Sequence, residues 1–93
     1  MSFEAVQASV FQTVKNFEKV DPAAVTRLVS FKQLGLSKFD VLQLIGDIEE
    51  ALDVELTDQE ALKIRTVLDA VSLFHKHKQQ PGVVLAEETK TEA

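Results

Sequence analysis

Side chains able to hold a metal or move a proton gather in two places. His75 and His77 stand two apart. That spacing puts the rings on different sides of a helix, whereas helical zinc pairs need a spacing of about four. The chain has no Cys and no third ligand nearby. The pair therefore reads as a solvated helix end, where the helix dipole alone favours His. Asp47, Glu49, Glu50, Asp53 and Glu55 form an acidic run that suggests calcium. A calcium loop needs a central Gly and alternating oxygen ligands; the run lacks both and reads as a solvated face. No metal site is expected. The glycines are isolated, so there is no Gly-rich phosphate loop. No nucleophile is paired with a base, which argues against an enzyme.

The elements that position these residues belong to one small domain of 93 residues. A hydrophobic share of 45% with 27% charged residues is an ordinary globular balance. The net charge of −5 opposes binding to phosphate backbones, so no nucleic-acid partner is expected. Without Cys there are no disulfides. No apolar run approaches the roughly 20 residues of a membrane span. The opening Met-Ser-Phe-Glu-Ala carries no targeting pattern, so a leader is expected to be absent or already removed. The expected location is the cytoplasm, or an organelle matrix if a transit peptide has gone.

Phe3, Val6, Val10, Val14 and Phe17 share one helical face, with Ser2 as N-cap and an end at Phe17 or Lys19. Asp21-Pro22 breaks this helix and permits a short turn through Val25 and Leu28. Residues 30–37 read as a loop, with Phe31, Leu34 and Leu36 pinning it to the core. Ser37 opens a second helix from Lys38 to about Leu52. Val41, Leu44, Ile45, Ile48 and Leu52 fall inward, and Asp40, Gln43, Asp47 and Glu50 opposite. Phe39 and Leu42 break that division, lying toward the polar side. Asp53 to Leu56 is an extended link. Thr57-Asp58-Gln59-Glu60 is a capping box that starts a short helix. Thr66 to Asp69 resembles it with a shorter acid and starts a last helix, with Val67, Ala70, Val71 and Phe74 inward. The expected organisation is a helical domain over 1–77 and a flexible tail over 78–93. The fold class is all-α, an irregular four-helix bundle with a long loop between its first two major helices.

That layout resembles the acyl carrier proteins. Residues 31–44, Phe-Lys-Gln-Leu-Gly-Leu-Ser-Lys-Phe-Asp-Val-Leu-Gln-Leu, follow the family pattern of Phe, an acidic spacer, Leu-Gly-x, Asp-Ser-Leu-Asp and an apolar helix. Residues 48–56 are similar to its Leu-Glu-Glu-x-Phe-x-x-x-Ile stretch. Thr57-Asp58-Gln59-Glu60-Ala61 matches Pro-Asp-Glu-Glu-Ala, and Ile64-Arg65-Thr66-Val67 matches Ile-x-Thr-Val. The resemblance covers about residues 3–77 and implies an irregular helical bundle. It also implies a Ser esterified with 4′-phosphopantetheine, whose thiol bears the acyl group.

Aligned without gaps, the family's Asp-Ser-Leu falls on Ser37-Lys38-Phe39. The modifiable slot is then Lys38, and an amine is no substrate for that esterification. Ser37 has two readings. As an N-cap it contributes about 1 kcal/mol and needs no other role. As a displaced attachment site it takes the arm. The anchors on both sides align without adjustment and favour the cap. Lys38 also places a cation at the positive end of the helix dipole, where the family offers acids to basic partners.

By resemblance, the expected function is an acyl-carrier-type protein that has lost its attachment Ser and serves as an adaptor or subunit without a cofactor. The alternative is a working carrier for fatty-acid or polyketide synthesis, with 4′-phosphopantetheine on Ser37. In either case partner proteins are expected to dock on the second helix through Phe39, Asp40, Leu42, Gln43, Asp47 and Glu50. For Phe39 two readings stand side by side: partner contact, or folding back against Leu36 to cover the core. Alone, the chain is expected to be a monomer.

Overall fold

A computed structural model describes residues 1–79. It contains four α-helices: α1 (Phe3–Asn16), α2 (Lys38–Leu52), α3 (Asp58–Leu62) and α4 (Val67–Gln79). A single 3₁₀ turn, Pro22–Ala24, lies between α1 and α2. Among the described residues there is no strand, only one isolated antiparallel bridge between Ser30 and Thr66. The protein is all-α. The tail expected from residue 78 lies outside the described residues from residue 80 onward, and α4 itself runs two residues past His77.

Each helix starts where a side-chain oxygen can take an orphan N–H. Ser2 accepts from Ala5 N, and Thr57 accepts from Glu60 N while Glu60 returns a bond to Thr57 N. At α4, Thr66 Oγ1 accepts from Asp69 N at 3.1 Å, and Asp69 accepts from Thr66 N at 3.1 Å. α1 stops at Asn16, short of Lys19. Phe17 turns extended (φ −66, ψ 131), and Val20 donates back to the Phe17 carbonyl, which swings Val20 into the core.

α1 lies against α2 and α4. Val6, Val10 and Val14 meet Leu44, Ile45, Ile48 and Leu52 of α2 and Val67, Ala70, Val71 and Phe74 of α4 in one cluster. No polar side chain is buried there. Each large apolar side chain so enclosed contributes about 1.5–3 kcal/mol. Val41, expected inward, is half-buried at the margin, and so are Phe3 and Phe17.

The long loop is more ordered than its sequence suggests. Leu36 N donates to the Phe31 carbonyl at 3.1 Å and Gly35 N to that of Lys32 at 2.9 Å. This pair of bonds closes a helical turn by the Schellman pattern, with Gly35 in the left-handed region (φ 82) and Phe31 and Leu36 buried together. Residues 27–31 then run along the start of α4. Phe31 N donates to Arg65 O, Val67 N to Val29 O and Leu68 N to Arg27 O, at 2.8–3.1 Å. The last two bonds satisfy helix N–H groups that the α4 cap leaves over. The 3₁₀ turn ends before Leu28, so only Val25 of the expected pair is buried.

Candidate functional site at the opening of the second major helix

The Schellman turn delivers the chain to Ser37, an extended N-cap (φ −78, ψ 171). Ser37 Oγ accepts from Asp40 N at 3.1 Å, and Asp40 Oδ2 accepts from Ser37 N at 2.9 Å. Together they form a capping box. Ser37 is exposed at the head of α2, and Lys38 is the first helical residue, also exposed.

Asp40 carries a second load. Lys19 Nζ lies 3.0 Å from its Oδ1 and 3.3 Å from its Oδ2, tying the α1–α2 connection to the opening of α2. The hydrogen bond from the Ser37 backbone, then the one from Lys19, hold the Asp40 carboxyl below its usual range. This acid is therefore engaged within the chain, with its side chain only 13% exposed. Sequence reasoning placed it beside Asp47 and Glu50 as a free docking acid and missed Lys19, which is twenty-one residues away in the chain.

The outer face of α2 settles the position of Phe39. It is 81% exposed and does not fold back over Leu36. Leu42 is 42% exposed. Phe39, Leu42, Gln43, Gly46 and Glu50 recur at helical spacing as one outward stripe, flanked by Asp47, and all are exposed. Glu49 leaves the acidic run: its Oε2 accepts from Leu56 N at 2.7 Å and fastens the link after α2. Asp53, in the left-handed region (φ 56), terminates the helix. The two histidines diverge. His75 meets the Phe3 ring edge-on at 5.3 Å, while His77 Nε2 lies 2.9 Å from Glu60 Oε2. Both are half-buried, so neither stands free at a solvated helix end. Among the described residues no group of three or more His, Cys, Asp or Glu could hold a metal. None of the described helices is long and apolar enough to cross a membrane.

A helical bundle whose longest helix opens on an exposed hydroxyl is the frame of a known class. The family model of the phosphopantetheine attachment site matches residues 8–74, and the chain belongs to that family. Three relatives of the chain are acyl carrier proteins. Mitochondrial acyl carrier protein 2 of Arabidopsis thaliana is 39% identical over 71 residues, which is 75% of this chain and 56% of that protein. The mitochondrial acyl carrier protein of Dictyostelium discoideum is 30% identical over 76 residues, 82% of this chain and 63% of that protein. The acyl carrier protein of Syntrophobacter fumaroxidans is 34% identical over 79 residues, 84% of this chain and 98% of that protein. The chain thus spans less than two thirds of the two mitochondrial relatives and nearly all of the bacterial one.

Proposed function

We propose that this chain works as an acyl carrier protein, with Ser37 as the hydroxyl that receives 4′-phosphopantetheine and the outer stripe of α2 as the surface its partner proteins read. The observation that carries this reading is the exposed Ser37 at the head of α2, in a chain whose relatives are carriers by name. The residues fit the group. Ser37 Oγ uses one lone pair for Asp40 N, so its proton and its second lone pair are uncommitted. The head of a long helix favours an anion. When bound, the group supplies a thiol that carries an acyl chain as a thioester. The chain's own part is presentation: the capping box fixes Ser37, and Phe39, Leu42, Gln43, Asp47 and Glu50 offer an apolar patch bordered by acid. Carriers are not catalysts. The mitochondrial relatives support an organelle matrix, and the bacterial relative a cytoplasm.

A second reading, an adaptor that docks without any arm, is favoured by one observation. The Ser37 hydroxyl holds the Asp40 N–H, and the family resemblance, aligned without gaps, implies that Lys38 falls in the attachment slot. Intact mass after incubation with coenzyme A and a broad-specificity phosphopantetheinyl transferase separates the two. The carrier reading expects a gain of one arm that Ser37→Ala abolishes. A gain seen only in Lys38→Ser refutes it and leaves the adaptor.

A further inference from the structure

Beside the head of α2, on the side of the long loop, lies an open groove of about 630 Å³. Its rim carries Lys32, Lys38 and Arg65, and no acidic residue lines it. In a chain of net charge −5 this is a local reversal of sign. The acids nearest in sequence to Lys38 and Arg65 make contacts of their own. Asp40 is held by Lys19 and the Ser37 N–H, and Asp69 accepts from the backbone N–H groups of Arg65 and Thr66. Among the described residues, none of the three cations has a carboxylate within ion-pairing distance.

The backbone under each cation is fixed. The Schellman turn holds Lys32, the Phe31 N–H bond to Arg65 O joins the loop to Arg65, and the capping box holds Lys38. Ser30 and Ser37 also line the groove. Their hydroxyl oxygens accept from Gln33 N and Asp40 N, which leaves both hydroxyl protons free to donate. The floor is Phe31, Leu36 and Ile64, each at most 8% exposed, with half-buried Val41 beside them. Three cations and two hydroxyl donors, with no acid among the lining residues, suit a compact, multiply charged oxyanion.

We propose that this groove is a binding site for the phosphate group of a small phosphate ester or pyrophosphate, held by Lys32, Lys38 and Arg65. The site needs no arm on Ser37 and goes beyond the carrier reading. Three cations are too few to follow a nucleic-acid backbone, which takes roughly six to ten phosphate contacts or more.

The test uses the chain verified by mass to carry no arm, so that failure of loading and failure of this site remain separate results. Inorganic pyrophosphate is titrated while amide shifts of residues 30–41 and 64–66 are followed by NMR. The expected result is saturable binding in the low-millimolar range that weakens with added salt. Lys38→Ala and Arg65→Ala should each weaken it roughly two- to fivefold, and the triple variant with Lys32→Ala should abolish it. Lys15→Ala and Lys63→Ala, outside the groove, should leave it unchanged. All these side chains are exposed, and circular dichroism checks that each variant folds. Shifts that never saturate, or an equal loss on Lys63→Ala, would overturn the proposal.

Discussion

Ser37 serves the fold and is the candidate for chemistry, and substitution separates the two roles. Ser37→Ala removes the acceptor for Asp40 N and leaves the Asp40 carboxylate bond to the residue 37 N–H in place. The orphaned N–H is at an exposed helix end where water can reach it, so the loss is that of an ordinary cap, about 1 kcal/mol. For a chain of 93 residues this corresponds to a fall in Tm of roughly 4–8 °C. Ser37→Gly should lose only a few tenths of a kcal/mol, because Gly tolerates the cap conformation and lets water reach the N–H. Ser37→Asp restores a short acceptor at the positive end of the helix and should melt close to the parent, its gain from the dipole offset by repulsion from Asp40. Thermal melts followed by circular dichroism give the order: parent and Asp, then Gly, then Ala. A Ser37→Ala chain that melts with the parent, or above the Gly variant, would refute the cap. Ser37→Asp is also the useful reagent for function, since it cannot be esterified yet keeps the helix start. Partner binding that survives in it belongs to the α2 surface and not to an arm.

Phe39→Ala removes a side chain that is 81% exposed, so stability should change by less than about 0.5 kcal/mol while association with partner proteins falls; a cooperative loss of helicity would show that Phe39 packs on the core. Gly35→Ala meets no atom within 4 Å, so its whole effect comes from φ +82, and a loss of about 1–2 kcal/mol in urea unfolding is expected. Glu60 has its carboxyl held below the ordinary 4.5 by the Thr57 N–H and then by His77. A depressed folded value means its contribution is complete above the ordinary Glu range and is lost as pH falls through the folded value. Melting temperatures of the parent and Glu60→Gln should therefore differ near neutrality and converge in acid; a gap that persists in acid would rule out the carboxylate as its source.

The helices were legible because their signals are local. The α1 and α2 faces follow from apolar spacing, and the starts of α3 and α4 follow from Thr with an acid three residues on. What escaped was long-range and polar. Lys19 to Asp40, Glu60 to His77, and the loop laid along residues 65–68 join groups far apart in sequence through hydrogen bonds that leave no periodic trace. The Schellman turn did have a signal, Leu-Gly-Leu after Phe31, which marks a left-handed Gly between two residues that must pack. Phe39 was undecided in sequence because, although it lies toward the polar side, it sits in the first turn beside the loop, where one rotamer reaches the loop and another faces solvent.

Whether Ser37 could move forward by one residue, to the position the family resemblance assigns to the attachment Ser, is a question of slack, and the structure gives little. On one side Leu36 is 8% exposed and bonded through its N–H to Phe31. On the other, Asp40 is bound to both Ser37 and Lys19, and Val41 N donates to the Ser37 carbonyl. Moving Ser37 forward by one residue would drag Leu36 out of the core or break the capping box, and each costs at least as much as a cap contributes. A loaded Ser37 must then be esterified where it stands, at the cap itself. The ester oxygen is a poorer acceptor than the hydroxyl, so loading would weaken the bond from Asp40 N and lower the melting temperature toward that of Ser37→Ala. The groove cations would act in the opposite direction, because Lys32 and Lys38 line the same groove as Ser37 and would attract an anion attached there. The sign of the change in melting temperature on loading therefore reports which of the two interactions is stronger.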